Sequence, residues 1–237
     1  MKKLFTTGLF LLFVATTGAA LAQEGITRKP VSVSGFDAIQ ASGIANVFLT
    51  RGDQEKVEVE INEKYRQYAR VSVDDRVLNI RLELKDREER RDRDDLRFNV
   101  YVTYKTLKEL TGNGATNFTT RNKLTTPSLE VEVSGANNTT LDVDAGELSI
   151  DASGAANIKL TGKADELEID ASGACNIRAY DLHAARVDAD VNGVSNADIT
   201  VQKKLDVKAS GLSHVNYKGN PEVGVREISR MSTLKKH

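Results

Sequence analysis

The chain has no tryptophan, and aromatic residues make up only 5% of its 237 positions. A core built around large rings is therefore excluded, and Val, Ile, Leu and Ala must supply the buried area. Cysteine occurs once, as Cys175, which excludes an internal disulfide framework. No cysteine follows the leader described below, so a lipid anchor there is excluded as well. Charge of one sign is not in excess: 33 basic and 34 acidic side chains give a net charge of −1. That balance leaves no electrostatic footprint for nucleic acid. Histidine occurs three times, at the scattered positions His183, His214 and His237, and no zinc-ligand spacing or Ser-His-Asp motif is present. No glycine loop opens a helix, so a phosphate cradle is not expected.

What is there begins with residues 1–22, which read as a secretory signal. Lys2 and Lys3 precede the apolar run Leu4 to Val14, and Ala20-Leu21-Ala22 offers a small-x-small cleavage site. The run is too short to span a bilayer comfortably. Removing it leaves 31 basic and 34 acidic side chains and no other transmembrane candidate. The expected location is the periplasm, the cell surface or the medium.

The dominant feature is an internal repeat. Ser/Asn-Gly-x-x-Asn recurs with glycines at Gly114, Gly135, Gly154, Gly173, Gly193 and Gly211, stepping by 21, 19, 19, 20 and 18 residues. The matching asparagines are Asn117, Asn138, Asn157, Asn176 and Asn196, with His214 in the last copy. An outlying copy, Ser42-Gly43-Ile44-Ala45-Asn46, lies far upstream. Before each glycine, apolar residues alternate with polar ones, as in Leu148-Ile150-Ala152 and Leu167-Ile169-Ala171. After each asparagine a second short alternation follows, as in Ile158-Leu160. A period of two means strands. A unit of about 20 residues cannot bury its own apolar face, but stacked units form continuous aliphatic columns. The expected fold is all-β, a parallel β-helix (β-solenoid) of about 20-residue turns with Gly-x-x-Asn corners. Glycine accepts positive φ there, and stacked asparagines can bond to one another along the axis. An antiparallel sandwich with glycine hairpins is the alternative.

Residues 23–105 are β-rich but irregular and are expected to cap one end and lead into the repeats of 106–220. Asn62 is placed to cap a short helical turn through Ala69. Lys85 to Asp95, five basic and six acidic residues, reads as a solvated excursion or a contact loop. Residues 221–237 are expected to form a cap strand and a loose basic end. Cys175 stands where neighbouring repeats place Ala or Thr, and reads as a small core residue.

The opening Val31-x-x-Phe36-Asp37-Ala38-Ile39 pattern, the Ser42-Gly43 element, and the Tyr101-to-Leu110 strand followed by Gly114-Ala115 resemble the head GIN domain family. Its members carry an auto-transporter adhesin label. The Ser-Gly-Ala/Gly-x-Asn corners resemble that family's hallmark, and the likeness runs over roughly residues 30 to 220. One departure is Tyr104-Lys105, where similar proteins often carry a proline. The resemblance implies a right-handed parallel β-helix exported in Gram-negative bacteria of the Bacteroidetes type. It supplies no catalytic residues. The 17 residues after 220 are expected to be too few for a translocating barrel.

Two outward columns of the first strand are acidic. One reads Glu130, Ser149, Glu168, Asp188, Asp206; the other reads Glu132, Asp151, Asp170, Asp190, Lys208. Opposed like charges destabilise, so basic neighbours or cations should offset them. Glu132, Asp151, Asp170 and Asp190 are thus candidate ligands for Ca²⁺, with a salt-screened acidic face as the alternative. No other cofactor is indicated. The leading functional expectation is a non-enzymatic envelope protein, adhesin-like, whose long side binds a glycan, a surface polymer or a partner protein. A polysaccharide lyase or hydrolase using carboxylates such as Asp151 and Asp170 is the enzymatic alternative, and a structural periplasmic protein is a third.

Overall fold

The computed structural model describes residues 26–84 and 96–237. The signal sequence and the charged run at 85–95 lie outside the described residues. Thirteen strands join in one mixed sheet that follows the chain almost in order. They are β1 (Ile26–Val31), β2 (Ala38–Arg51), β3 (Lys56–Asn62), β4 (Ala69–Asp74), β5 (Val77–Leu82), β6 (Phe98–Tyr104), β7 (Glu109–Thr120), β8 (Leu124–Gly173), β9 (Asn176–Val191), β10 (Asn196–Ala209), β11 (His214–Lys218), β12 (Glu222–Ile228) and β13 (Thr233–Lys236).

The repeats pair in parallel, like with like, which removes the antiparallel sandwich. Gly43 pairs with Gly114, and Gly114 with Gly135. Asn157, Asn176, Asn196, His214 and Thr233 pair in succession. The inward residues of the first strand, from Leu129, Val131 and Val133 to Leu205, Val207 and Ala209, are buried. Those of the second strand, such as Leu141, Ile158, Ile177 and Ile199, are buried too. Ala145, Ala164 and Ala184 fill a third, narrower side.

The corner shows why glycine is required. Gly135 and Gly154 have φ of 98° and 83°. A Cβ on Gly154 would lie 2.8 Å from the Gly135 carbonyl oxygen, and one on Gly135 would lie 2.6 Å from that of Gly114. Backbone stacks directly on backbone, leaving no room for a side chain. The strand ladder runs through the corners at Gly135 and Gly154 without a break, so β8 is continuous from Leu124 to Gly173. Variation in repeat length is absorbed elsewhere. Register shifts fall between Lys159 and Thr161 and between Ile199 and Lys204, after the second strand.

The N-terminal region is organised around the outlying glycine copy. β2 lies directly against β7 over twelve paired positions and forms the first turn of the stack. Its first half is extended by β5 and β4, and its second half by β6, β3 and β1. The outer strands of both extensions run antiparallel. A 3₁₀ helix spans Glu63–Tyr68, but Asn62 does not cap it. The Asn62 Oδ1 instead accepts from the backbone N–H of Arg97 at 2.7 Å, tying β3 to the start of β6.

The tail corrects the expectation of a loose basic end. β12 pairs with β10, and β13 pairs with β11, so residues 222–236 add one more turn. Arg230 stands where glycine is expected. The chain turns there through a bond from the Ser232 N–H to the Ser229 carbonyl at 3.1 Å.

Candidate functional site

A groove of about 570 Å³ runs along the stack where the narrow side meets the first strand. Four turns contribute the same three positions, a polar residue, a buried aliphatic floor residue and a second polar residue, and a fifth adds Lys204 and Asp206. The floor is Leu129, Leu148, Leu167 and Val187. One wall carries Glu147, Glu166, Arg186 and Lys204, and the other carries Glu130, Glu168, Asp188 and Asp206. Five turns at about 4.8 Å give a trough roughly 20 Å long. The ion pairs are unevenly spread. Arg186 binds Glu166, Lys204 binds Asp206 at 2.6 Å, and Arg226 reaches Asp188. Glu130, Glu147 and Glu168 carry no ion pair among the described residues. The groove is therefore most negative toward its N-terminal end.

The acidic column beside it holds the four carboxylates weighed for calcium, one per turn. Asp170 pairs with Asp190, and Asp190 with Lys208. Lys208 Nζ lies 2.9 Å from Asp190, which also accepts from Asn192 Nδ2 at 2.7 Å. Partial burial, then the charges of Asp151 and Asp190, push the Asp170 carboxyl above its ordinary range. Ionising it costs the fold, so this residue removes stability as pH rises through that raised value. Among the described residues no group of three or more His, Cys, Asp or Glu side chains converges to hold a metal ion.

The face beyond the corner carries amides. Asn138 Nδ2 donates to Asn117 Oδ1 at 3.1 Å, Asn117 Nδ2 to Asn46 Oδ1 at 2.8 Å, and Asn46 Nδ2 to Asn99 Oδ1 at 2.9 Å. Asn99 Nδ2 donates in turn to Glu60 at 2.9 Å. The donors all point one way and end on a carboxylate. Asn99 belongs to no Gly-x-x-Asn copy, so only the pairing of β6 with β2 identifies it. Phe48 and Tyr101 stack on this face at 5.0 Å between ring centroids. Arg28 covers Tyr101 at 3.8 Å and Arg121 covers Phe48 at 4.5 Å, so guanidinium groups occupy the faces a sugar would need.

Just past the glycines an inward column reads Ala45, Thr116, Asn137, Ala156, Cys175, Ser195 and Ser213, all buried. Cys175 thus sits at a small-residue core position, where burial foremost raises its thiol pKa. The three histidines are exposed, and His237 packs edge-on to Tyr180 at 6.4 Å between ring centroids. Asp37 is buried between Arg76 at 2.9 Å and Lys108 at 2.8 Å. Hydrogen bonds from these cations hold its carboxyl down at about 2.

A protein family described as "Putative auto-transporter adhesin, head GIN domain" matches residues 35–221. Among solved structures, a "putative adhesin" from Bacteroides fragilis NCTC 9343 superimposes with a TM-score of 0.78 at 20% identity, covering 90% of this chain and 98% of that one. A "putative adhesin" from Parabacteroides distasonis ATCC 8503 gives 0.70 at 21% identity, with 90% and 98% covered. A "Putative lipid binding protein" from the same strain gives 0.67 at 18% identity, with 91% and 98% covered. These likenesses establish the fold. The search of curated proteins returns no match. Neither the family nor these structures is described as an enzyme. Among the described residues no helix is long and apolar enough to cross a membrane.

Proposed function

Since the chain belongs to the head GIN domain family, we propose that it is an exported, non-enzymatic binding protein of the cell envelope. Its scaffold is read as a right-handed parallel β-helix, and residues 1–22 as the signal that exports it. The ligand lies along the groove. One observation carries this reading: four turns present the same polar-floor-polar triplet in line and a fifth adds Lys204 and Asp206, which sets six carboxylates against Arg186 and Lys204. A trough with a repeating pitch fits an extended polymer better than a compact substrate, and its charge selects one bearing positive groups. An amino-bearing surface glycan meets both requirements, and a Lys/Arg-rich segment of an envelope protein meets them as well.

The carboxylates are spread along the turns and not paired across a cleft, which favours holding over cleavage. Titration of the chain with chitosan oligosaccharides and with oligolysine tests the reading. Binding is expected to weaken steeply with added salt and to drop when Glu147 and Glu168 are both changed to Gln. Equal affinity for an anionic polyuronate, or binding unchanged in that double variant, overturns it.

A further inference from the structure

All five exposed large hydrophobic residues among the described residues fall near the C-terminal end: Val194, Leu212, Val223, Val225 and Met231. Val194 and Leu212 occupy the same corner position in successive turns, and Met231 stands between β12 and β13 one turn later. Val223 and Val225 differ in kind. They pair with Leu205 and Val207, both wholly buried, and so continue two interior columns of the core. No further strand covers them among the described residues, and Val225 is 56% exposed.

The free sheet edges are not alike. β1 carries Pro30, which has no N–H to offer, beside Arg28 and Lys29. β13 carries Lys235 and Lys236, and β4 carries Arg70 and Asp74. Such residues discourage pairing along an edge. The centre of β12 is Val223-Gly224-Val225, flanked by Glu222 and Arg226.

That segment is self-complementary. We propose that β12 pairs antiparallel with β12 of a second copy of this chain, joining two stacks end to end about a twofold axis at Gly224. In this register Val223 faces Val225 of the other copy, twice, and both cores continue across the junction. Glu222 faces Arg226 of the other copy, also twice, on the outer surface, where Arg226 stands at the bulge of β12 and exchanges its own Asp188 for the new partner. Centred on Val225, the register sets Val223 against Glu227; centred on Val223, it pairs Val223 with itself but sets Val225 against Pro221 and leaves Glu222 against Gly224; half-residue shifts set Val223 against Arg226 or Glu222 against Val225. Charge pairing and apolar pairing therefore select the same alignment.

Analytical ultracentrifugation of the full chain tests this. The wild type is expected to sediment as a dimer at high micromolar concentration. Val225→Lys is expected to sediment as a monomer, and Glu222→Arg to weaken association roughly tenfold, because each contact is made twice. Both positions are exposed, so circular dichroism should be unchanged, as should melting at concentrations where the wild type is itself monomeric. A Val223→Cys chain mixed with a Val225→Cys chain should oxidise to a linked dimer, while either alone should not; Cys175 is buried and does not compete. A monomeric wild type, a Val225→Lys chain that still dimerises, or linkage that forms equally within one variant overturns the proposal.

Discussion

Asp37 shows how one side chain fastens the start of the stack. It is the first residue before β2, and its two cations come from the turn before β5 and the segment before β7. The three pieces it joins are remote in sequence but adjacent in the sheet. Its pKa falls from 3.8 to about 2 on folding. A depressed carboxyl stabilises the fold above its unfolded value, and that contribution is lost as pH drops from about 4 through 2. Arg76 and Lys108 are 66% and 70% exposed, so solvent screens much of the attraction. Asp37→Asn is expected to cost about 1 kcal/mol at pH 7. Thermal melts of the variant and the wild type should converge toward pH 2. The Asp37 motif is visible in the sequence, but its partners are not, since Arg76 and Lys108 follow no spacing rule.

At the scale of the element, the glycine corner is the most legible part of the chain. Regular spacing, alternation and the need for positive φ all point to the same stacked geometry. Gly154→Val places a branched side chain against the Gly135 carbonyl oxygen at 2.8 Å and amide nitrogen at 2.9 Å. The expected cost is about 4 kcal/mol, lowering the melting temperature by about 10 °C. Ala155→Val, one residue on, should change it little, because that position faces solvent and a later turn carries Val194 there. Other elements were less legible for identifiable reasons. The last turn was hidden because Arg230 replaces the glycine. Asn62 looked like a cap because its type and position were right, but the tertiary bond from Arg97 claimed its oxygen. The partnership of β2 with β7 spans the 57 residues from Gly52 to Lys108, and only the shared Gly-x-x-Asn pattern points to it.

At the scale of the molecule, the two acidic columns could be written down from the sequence, but their surroundings could not. Which column borders a groove depends on how the narrow side meets the first strand, and that bend is set by Ala145, Ala164 and Ala184 packing inside. The ion pair of Arg186 with Glu166 likewise depends on the neighbouring turn, whereas Lys204 and Asp206 pair within one strand. The same stacking has a consequence for heredity. Gly154 and Gly173 occupy equivalent places, and Asn157 pairs with Asn176. Excising residues 155–173 would rejoin Gly154 to Ala174 with every column still aligned, whereas losing half that segment would turn core residues outward. The shorter chain is expected to retain its strand circular dichroism and a single melting transition, and the half-cut chain to lose both. Genes for such a molecule can grow or shrink in whole repeats, so reach can evolve without redesigning the interior.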